Sequence, residues 1–270
     1  MKKSSNEYYI GESMKIGIIG VGKLATVLVE GLIKTEKATE IILSPRNQSK
    51  SQTLSQQYEC VRIAKDNQAV VDECDWVFLT LPTSVAESEI KQLTFNQNQS
   101  VINCVATLPQ VKCQQLIGAS IPVYRAFPLP SIAQCCGPLA FYPDNHDIKT
   151  FFTGLGQLFP CHEENSFNLF AAMTSQIASH YAELDTKASW LAENGMESII
   201  ARNFMNSLTS SLTTMAEHEP HLNFCELSQK AITPGGLNEQ VLKSRNAQGV
   251  YREIRDSLDT VLGRVQQHSN

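Results

Sequence analysis

A glycine-rich turn near the start of the chain has the residue types and spacing needed to hold a phosphate. It reads Gly20-x-Gly22-x-x-Ala25 and lies between a short apolar run and a stretch with helical periodicity. Gly20 permits a tight turn, Gly22 lets the backbone approach a pyrophosphate, and Ala25 lets the helix pack close to the strand. A purely structural turn is the alternative. The flanking strand and helix favour a dinucleotide site formed by Gly20, Val21, Gly22, Lys23 and Leu24.

The turn after the second apolar run distinguishes between the two nicotinamide dinucleotides. An acidic residue at the end of this strand would hold the 2′-hydroxyl of the ribose in NAD. The chain instead has polar residues from Ser44 to Lys50, with hydroxyl, guanidinium and ammonium groups that suit a 2′-phosphate. Ser44, Arg46 and Asn47 therefore predict NADP as the cofactor. The alternative is a solvated polar turn in which Arg46 has no ligand.

One histidine in the second half of the chain is a candidate proton donor. His180 lies in a stretch with helical periodicity, and imidazole can gain and lose a proton near neutral pH. Beside a nicotinamide, such a group could protonate an imine nitrogen or a carbonyl oxygen during hydride transfer. The alternative is a histidine on a helix surface or at an interface.

Strand and helix patterns alternate over the first part of the chain. Apolar runs at residues 15–19, 41–43 and 76–81 are typical of strands, and helical stretches separate them. This alternation predicts an α/β fold with a Rossmann domain over residues 14–165 and a mainly parallel sheet. Ligands of such sheets bind beyond the carboxyl ends of the strands. We therefore expect the nicotinamide to pass the residues after two of the strands, Leu81, Pro82, Val105 and Ala106.

The strand patterns end near residue 166. Long amphipathic stretches follow, interrupted at Gly195, Pro220 and the Pro-Gly-Gly segment at 234–236. They predict an all-helical dimerisation and substrate domain over residues 166–270, because amphipathic helices without a sheet need a partner surface. The polar segment 1–13 is expected to be a disordered extension.

The composition argues against several classes of function. A net charge of −5 without a dense block of Lys and Arg argues against nucleic acid as a partner. No stretch approaches the ~18 apolar residues of a membrane span. The eight cysteines are scattered, without metal-ligand spacing, so we expect no metal and a cytoplasmic protein with a small-molecule substrate. The aromatic residues, Trp76 and Trp190 among them, are expected in the core, and Lys187 in solvent.

Four segments of the chain together resemble the pyrroline-5-carboxylate reductases in their order and spacing, namely residues 14–25, 44–47, 124–130 and 232–236. The resemblance implies that NADPH delivers a hydride to the C=N carbon of a small imino acid, as in proline biosynthesis, or of a related imine. It also implies a homodimer or a larger homo-oligomer. By the same resemblance, Ser179 and Asn238 stand where the family contacts its substrate.

The substrate half departs from the family pattern. Leu129 replaces an asparagine, Leu237 and Asn238 replace two threonines, and Ser179 is retained in a helix start that is otherwise altered. Leu237 removes a hydrogen-bond donor and Asn238 keeps one, so we expect a substrate less polar than pyrroline-5-carboxylate. An NADP-dependent carbonyl or alcohol dehydrogenase and a non-catalytic NADP-binding regulator remain alternatives. We expect the active site between the two domains, with Ser179, His180 and Asn238 as its catalytic residues.

Overall fold

The computed structural model describes residues 14–266. The predicted extension over residues 1–13 and residues 267–270 of the predicted second domain lie outside the described residues. The described chain divides into a sheet unit, residues 14–171 with 263–266, and a helical unit, Ala172–Leu262. The assignment of cofactor binding to the first part and dimerisation to the second stays a prediction.

The sheet unit contains one mainly parallel sheet. Within the described residues its eight strands are β1 (Lys15–Ile19), β2 (Glu40–Leu43), β3 (Val61–Ile63), β4 (Trp76–Leu79), β5 (Ser100–Asn103), β6 (Val123–Phe127), β7 (Pro138–Tyr142) and β8 (Gln157–Pro160). Their spatial order is β3-β2-β1-β4-β5-β6-β7-β8. Neighbouring strands are parallel apart from the antiparallel pair β6 and β7. The predicted α/β fold is confirmed.

Helices connect the strands and then continue alone to the end of the described chain. Over residues 14–266 they are α1 (Lys23–Lys34), α2 (Gln48–Gln57), α3 (Asn67–Glu73), α4 (Thr83–Ile90), α5 (Gln110–Ile117), α6 (His146–Phe152), α7 (Glu164–Thr174), α8 (Ile177–Glu193), α9 (Ser198–His218), α10 (Phe224–Lys230), α11 (Leu237–Ala247) and α12 (Val250–Gln266). A short 3₁₀ helix spans Pro130–Gln134. The predicted succession of a sheet region and a helical region is confirmed.

The core lies on both faces of the sheet because the inner strands are covered by helices on either side. Ile16 and Ile18 of β1 belong to a buried cluster that includes Leu28 of α1. Val77 of β4 belongs to the cluster on the opposite face, with Val70 of α3. Burying each such side chain contributes about 1.5–3 kcal/mol, so the continuous apolar runs stabilise these strands in the centre of the sheet.

The two tryptophans have different surroundings. The Trp76 ring stacks on Phe151, with ring centroids 4.7 Å apart, and on Tyr124 at 5.7 Å. The expected core position of Trp76 is therefore confirmed. Trp190 on α8 is 61% exposed, and the expectation of a core position for it was wrong. Helical periodicity identifies an apolar face without telling which part of the protein covers it.

Two features of the helices were not predicted. Helix α3 is short, and its start is fixed by Asp66, whose Oδ1 accepts from the Ala69 N–H at 2.7 Å. The amphipathic region after residue 166, for which the first predicted interruption was Gly195, already breaks between α7 and α8. There the Ser175 hydroxyl donates to the Ala172 carbonyl at 2.7 Å, a local bond that competes with helix continuation.

A buried arginine joins β6 to α7 and to the loop after β5. Arg125 Nη1 donates to Glu164 Oε1 at 2.6 Å and to Asn168 Oδ1 at 3.0 Å, and Nη2 donates to the Ala106 carbonyl at 2.7 Å. Its guanidinium carbon lies 4.6 Å from the centroid of the Phe167 ring. Burial lowers the pKa of Arg125, although Glu164 acts in the opposite direction. Among the described residues, Arg125 Nε is buried without a hydrogen-bond partner.

Replacing Arg125 with methionine should lower the free energy of unfolding by about 3 kcal/mol. Methionine fills much of the space but leaves Glu164 and Asn168 without their donor, and breaking a buried ion pair is strongly destabilising. Urea denaturation measures the change. The control is Arg62→Met, which removes ion pairs with Glu40 and Glu73 at the surface, where the loss should be about 1 kcal/mol or less. Equal losses for the two variants would contradict the structural role of Arg125.

Candidate functional site

The turn after β1 requires glycine at one position and is open at another. Gly20 has a φ of 100°, and a Cβ there would lie 2.8 Å from the Thr80 carbonyl oxygen. A Cβ on Gly22 would have no atom of the described residues within 4 Å. Helix α1 begins at Lys23, directly after the turn. The strand, turn and helix that the glycine motif predicts are therefore present, with free space beside Gly22.

Side chains from the next strands hold this turn in place. The Gly20 N–H donates to Ser44 Oγ at 3.0 Å, and the Thr80 hydroxyl donates to the Gly20 carbonyl at 2.7 Å. Asn47 Nδ2 donates to the Val21 carbonyl at 2.8 Å. Ser44 is only 1% exposed and supports the turn, and its predicted contact with the cofactor phosphate stays a prediction. Asn47 supports the turn and also caps α2.

A cavity of about 480 Å³ opens where the strand order reverses between β1 and β4. Such switch points, at the carboxyl ends of parallel strands, are where open α/β sheets bind ligands. The cavity brings together seven of the predicted cofactor residues with three others, and its lining is Gly20, Val21, Gly22, Arg46, Asn47, Gln48, Thr80, Leu81, Pro82 and Val85. Lys23 and Leu24, also predicted, form the start of α1 beside it.

Arg46, the positively charged residue that lines this cavity, forms an ion pair that the sequence did not indicate. Arg46 Nη1 lies 2.8 Å from Glu89 Oε1, on α4. Glu89 Oε2 accepts a hydrogen bond of 3.1 Å from Asn67 Nδ2. The Arg46 side chain is 64% exposed and that of Glu89 25% exposed. Forty-three positions separate the two residues, so only the folded chain reveals the pair.

The loop after β5 contains the other predicted nicotinamide residues, Val105 and Ala106. Asn103 Oδ1 accepts from the Val105 N–H at 2.9 Å, and its Nδ2 donates to the Leu108 carbonyl at 2.8 Å. Arg125 holds the Ala106 carbonyl from the neighbouring strand. Val105 lines a second cavity, of about 570 Å³, between α4 and α5. This loop is therefore held by buried polar side chains on both sides.

Cys104, in the same loop, is not an available nucleophile. The side chain is buried, and burial raises the pKa of its thiol well above the ordinary range. A thiol in such surroundings stays protonated near neutral pH.

The predicted catalytic residues belong to the helical unit. Ser179 and His180 are exposed on α8. Asn238 is on the first turn of α11, where its Nδ2 donates to the Ala231 carbonyl at 2.9 Å. It lines a cavity of about 380 Å³ whose other residues include Lys187 and Arg245. The catalytic roles of Ser179, His180 and Asn238 stay predictions.

Lys187 was expected to be a solvated helix residue, and its side chain is 44% exposed. It also has a partner, because its Nζ lies 2.9 Å from Glu183 Oε1, and Arg245 Nη1 lies 3.0 Å from the same oxygen. The hydrogen bonds from Lys187 and Arg245 lower the pKa of Glu183.

Neither a cluster of metal ligands nor a membrane-spanning helix is present in the part of the chain that the structure describes. Residues 14–266 contain no group of three His, Cys, Asp or Glu side chains that could hold a metal ion. No helix in this range is both long and apolar enough to cross a membrane.

Comparisons with known proteins agree with the sequence resemblance. Residues 15–107 match the family described as NADP oxidoreductase, coenzyme F420-dependent. No curated protein matches the chain. The pyrroline-5-carboxylate reductase of Streptococcus pyogenes is similar in structure, with a TM-score of 0.82 at 22% identity over 94% of this chain and 98% of that chain.

Two other solved structures extend the comparison. The pyrroline carboxylate reductase of Plasmodium falciparum, solved with NADP bound, has a TM-score of 0.84 at 13% identity, over 96% of this chain and 100% of that chain. An imine reductase from Aspergillus terreus has a TM-score of 0.57 at 15% identity, over 90% and 88% of the two chains. The chain therefore has the fold of the pyrroline-5-carboxylate reductases, as the four sequence segments implied.

Proposed function

We propose that this chain is an NADP-dependent oxidoreductase that transfers a hydride from NADPH to the C=N bond of a small imino acid or a related imine. The observation that carries the proposal is the cavity at the switch point, where the glycine turn and Arg46 line the same space. The family match over residues 15–107 and the fold shared with pyrroline-5-carboxylate and imine reductases support the same reaction class.

The residues around this cavity fit a dinucleotide that carries a 2′-phosphate. The open side of Gly22 leaves room for a pyrophosphate, and the N-terminus of α1 presents the N–H groups of Lys23 and Leu24. Arg46 supplies a guanidinium group at the same cavity, and guanidinium suits phosphate. When bound, NADPH supplies the hydride. The chain's own residues hold the cofactor and orient it toward the loop of Val105 and Ala106.

We further propose that His180 supplies the proton and that Ser179 and Asn238 contact the substrate. Hydride addition to a C=N carbon leaves a nitrogen that must gain a proton, and a positioned imidazole can donate it. The exposure of His180 on α8 supports this role because a proton donor must be accessible to substrate. Leu237, 81% exposed at the start of α11, favours a substrate with little polar surface.

The helical unit also supports assembly into a homodimer or a larger homo-oligomer. Exposed apolar residues recur along α9 at spacings of four and three, at Ile200, Phe204, Leu208, Leu212 and Met215. They form a stripe about 22 Å long at 1.5 Å per residue. Charged residues are sparse on α9, so two copies could pack this face together without like-charge repulsion. We therefore propose a second copy of this chain as its partner.

An activity screen tests the proposed reaction. Purified protein is mixed with NADPH and a panel of cyclic imines, ketones and 2-oxo acids, and loss of NADPH absorbance is followed. Reduction of imines with little reduction of the carbonyl compounds is expected. Turnover of carbonyl compounds alone would contradict the proposal in favour of a carbonyl dehydrogenase, and tight NADPH binding with no turnover would favour a non-catalytic regulator.

Replacing Arg46 with alanine should weaken NADPH binding about tenfold and leave NADH binding nearly unchanged. The reason is that a charged hydrogen bond to phosphate is lost, and NADH has no 2′-phosphate. Fluorescence titration of both cofactors measures the change. Lys91→Ala removes the same charge from the exposed end of α4 and should change neither affinity. Equal affinity of the unmodified protein for NADPH and NADH would overturn the NADP assignment.

Replacing His180 with alanine should lower kcat by ~10²-fold and leave NADPH affinity unchanged, since proton donation acts in the transition state. Steady-state kinetics measures kcat, and cofactor titration measures the affinity for NADPH. His218→Ala, at the end of α9, serves as the control and should keep the original kcat. A His180 variant with the original turnover rate would leave water or the substrate as the proton source.

Light scattering should give at least twice the chain mass of 29.9 kDa. Phe204→Asp should shift the protein toward the monomer, because a buried unpaired carboxylate is strongly unfavourable in an apolar interface. Val111→Asp makes the same kind of change at an exposed apolar residue of the sheet unit and should leave the mass unchanged. A monomeric unmodified protein at micromolar concentration would contradict the proposed assembly.

A further inference from the structure

We propose that Glu89 is a specificity-determining residue that weakens the preference of this site for a 2′-phosphate. The inference rests on the proposed cofactor site and concerns the choice between NADPH and NADH. The acidic residue that would mark an NAD site at the end of β2 is absent from the sequence, but Glu89 of α4 places a carboxylate beside Arg46 from another part of the chain.

Neighbouring residues hold Glu89 beside Arg46, which lines the cavity. Val85, one helical turn earlier on α4, lines the cavity together with Arg46. Glu89 Oε1 contacts Arg46 Nη1 at 2.8 Å, and its other oxygen accepts from Asn67 Nδ2 at 3.1 Å. Both carboxylate oxygens therefore have partners from two separate elements, so the carboxylate is held beside the guanidinium.

Any phosphate that binds Arg46 must share this cation with Glu89. A 2′-phosphomonoester carries about −1.5 to −2 charges at neutral pH, by analogy with other phosphomonoesters. Arg46 brings one positive charge, and Glu89 already partly neutralises it. The phosphate would therefore bind on one side of the Arg46 guanidinium while the Glu89 carboxylate occupies the other side. NADH, which has a 2′-hydroxyl there, experiences no such repulsion.

The same carboxylate could instead help the phosphate by orienting Arg46, which would have the opposite effect on affinity. The exposed fractions of the Arg46 and Glu89 side chains decide whether repulsion of the phosphate or orientation of Arg46 has the larger effect. The Arg46 side chain is 64% exposed, so an ion pair that orders it contributes little. Glu89 is only 25% exposed and is held by Asn67 as well, so its charge persists near the phosphate. Repulsion outweighs orientation.

Glu89→Gln tests this inference, because glutamine keeps the shape and the hydrogen-bonding capacity of the side chain but removes its charge. We expect the variant to bind NADPH about six- to tenfold more tightly, which is what Coulomb repulsion between Glu89 and the phosphate across about 6 Å of water-like medium predicts. NADH affinity should stay within about twofold, since its 2′-hydroxyl is uncharged. The probes are NADPH and NADH, titrated by their fluorescence in low salt and again in high salt. The gain for NADPH should shrink in high salt because ions screen the repulsion.

Glu87→Gln is the matched control. Glu87 is on the same helix and carries the same charge, but its carboxylate lies near Lys91 and Lys112 and lines the separate cavity between α4 and α5. This variant should leave the ratio of NADPH to NADH affinity unchanged. The inference would be overturned if the two variants had the same ratio of NADPH to NADH affinity, or if Glu89→Gln lowered the affinity for NADPH. Either result would leave the proposed function intact. If the unmodified protein binds neither cofactor, the proposed function fails and the inference fails with it.

Discussion

The sheet unit depends on the close approach between the turn after β1 and the end of β4. A side chain at Gly20 would collide with the Thr80 carbonyl, and the Thr80 hydroxyl in turn donates to the Gly20 carbonyl. Ser44 holds the same turn from β2. Three parallel strands are thereby joined at the point where the strand order reverses, and α1 begins beside the cavity and packs against the sheet. A larger residue at position 20 would force the turn and the end of β4 apart.

The sequence predicted the sheet better than the details around the site. Strand β1 has the predicted bounds, residues 15–19, because its apolar run ends at the glycine turn. Helix α3 escaped prediction because seven residues are too few to show a clear helical period. The sequence could not indicate a role for Glu89 at the site either, because this role depends on a contact with Arg46 that forms only when β4 and α4 fold. Local patterns indicate elements, whereas the pairing of distant side chains requires the three-dimensional arrangement.

The contrast between a shared fold and an altered substrate pattern also has a physical basis. Buried positions need apolar side chains of suitable volume, so a fold can persist when most individual residues differ. Identities of 13% and 22% with TM-scores above 0.8 are consistent with that requirement. Leu129 is half-buried and Leu237 exposed, and both replace residues of the family pattern where no core contact has to be kept. Change at such positions can alter what the protein recognises with little effect on its stability.

The buried guanidinium of Arg125 has a consequence for local unfolding. It connects the loop of Ala106 with the first turns of α7, and Glu164 also accepts a hydrogen bond from the Gln110 N–H at the start of α5. Opening any one of these segments would leave a charge or a carbonyl in the interior without its partner. The segments should therefore open together, as one cooperative unit whose backbone amides exchange with solvent at a common rate. The loop of Val105 and Ala106 would then share the rigidity of the sheet, unlike most surface loops.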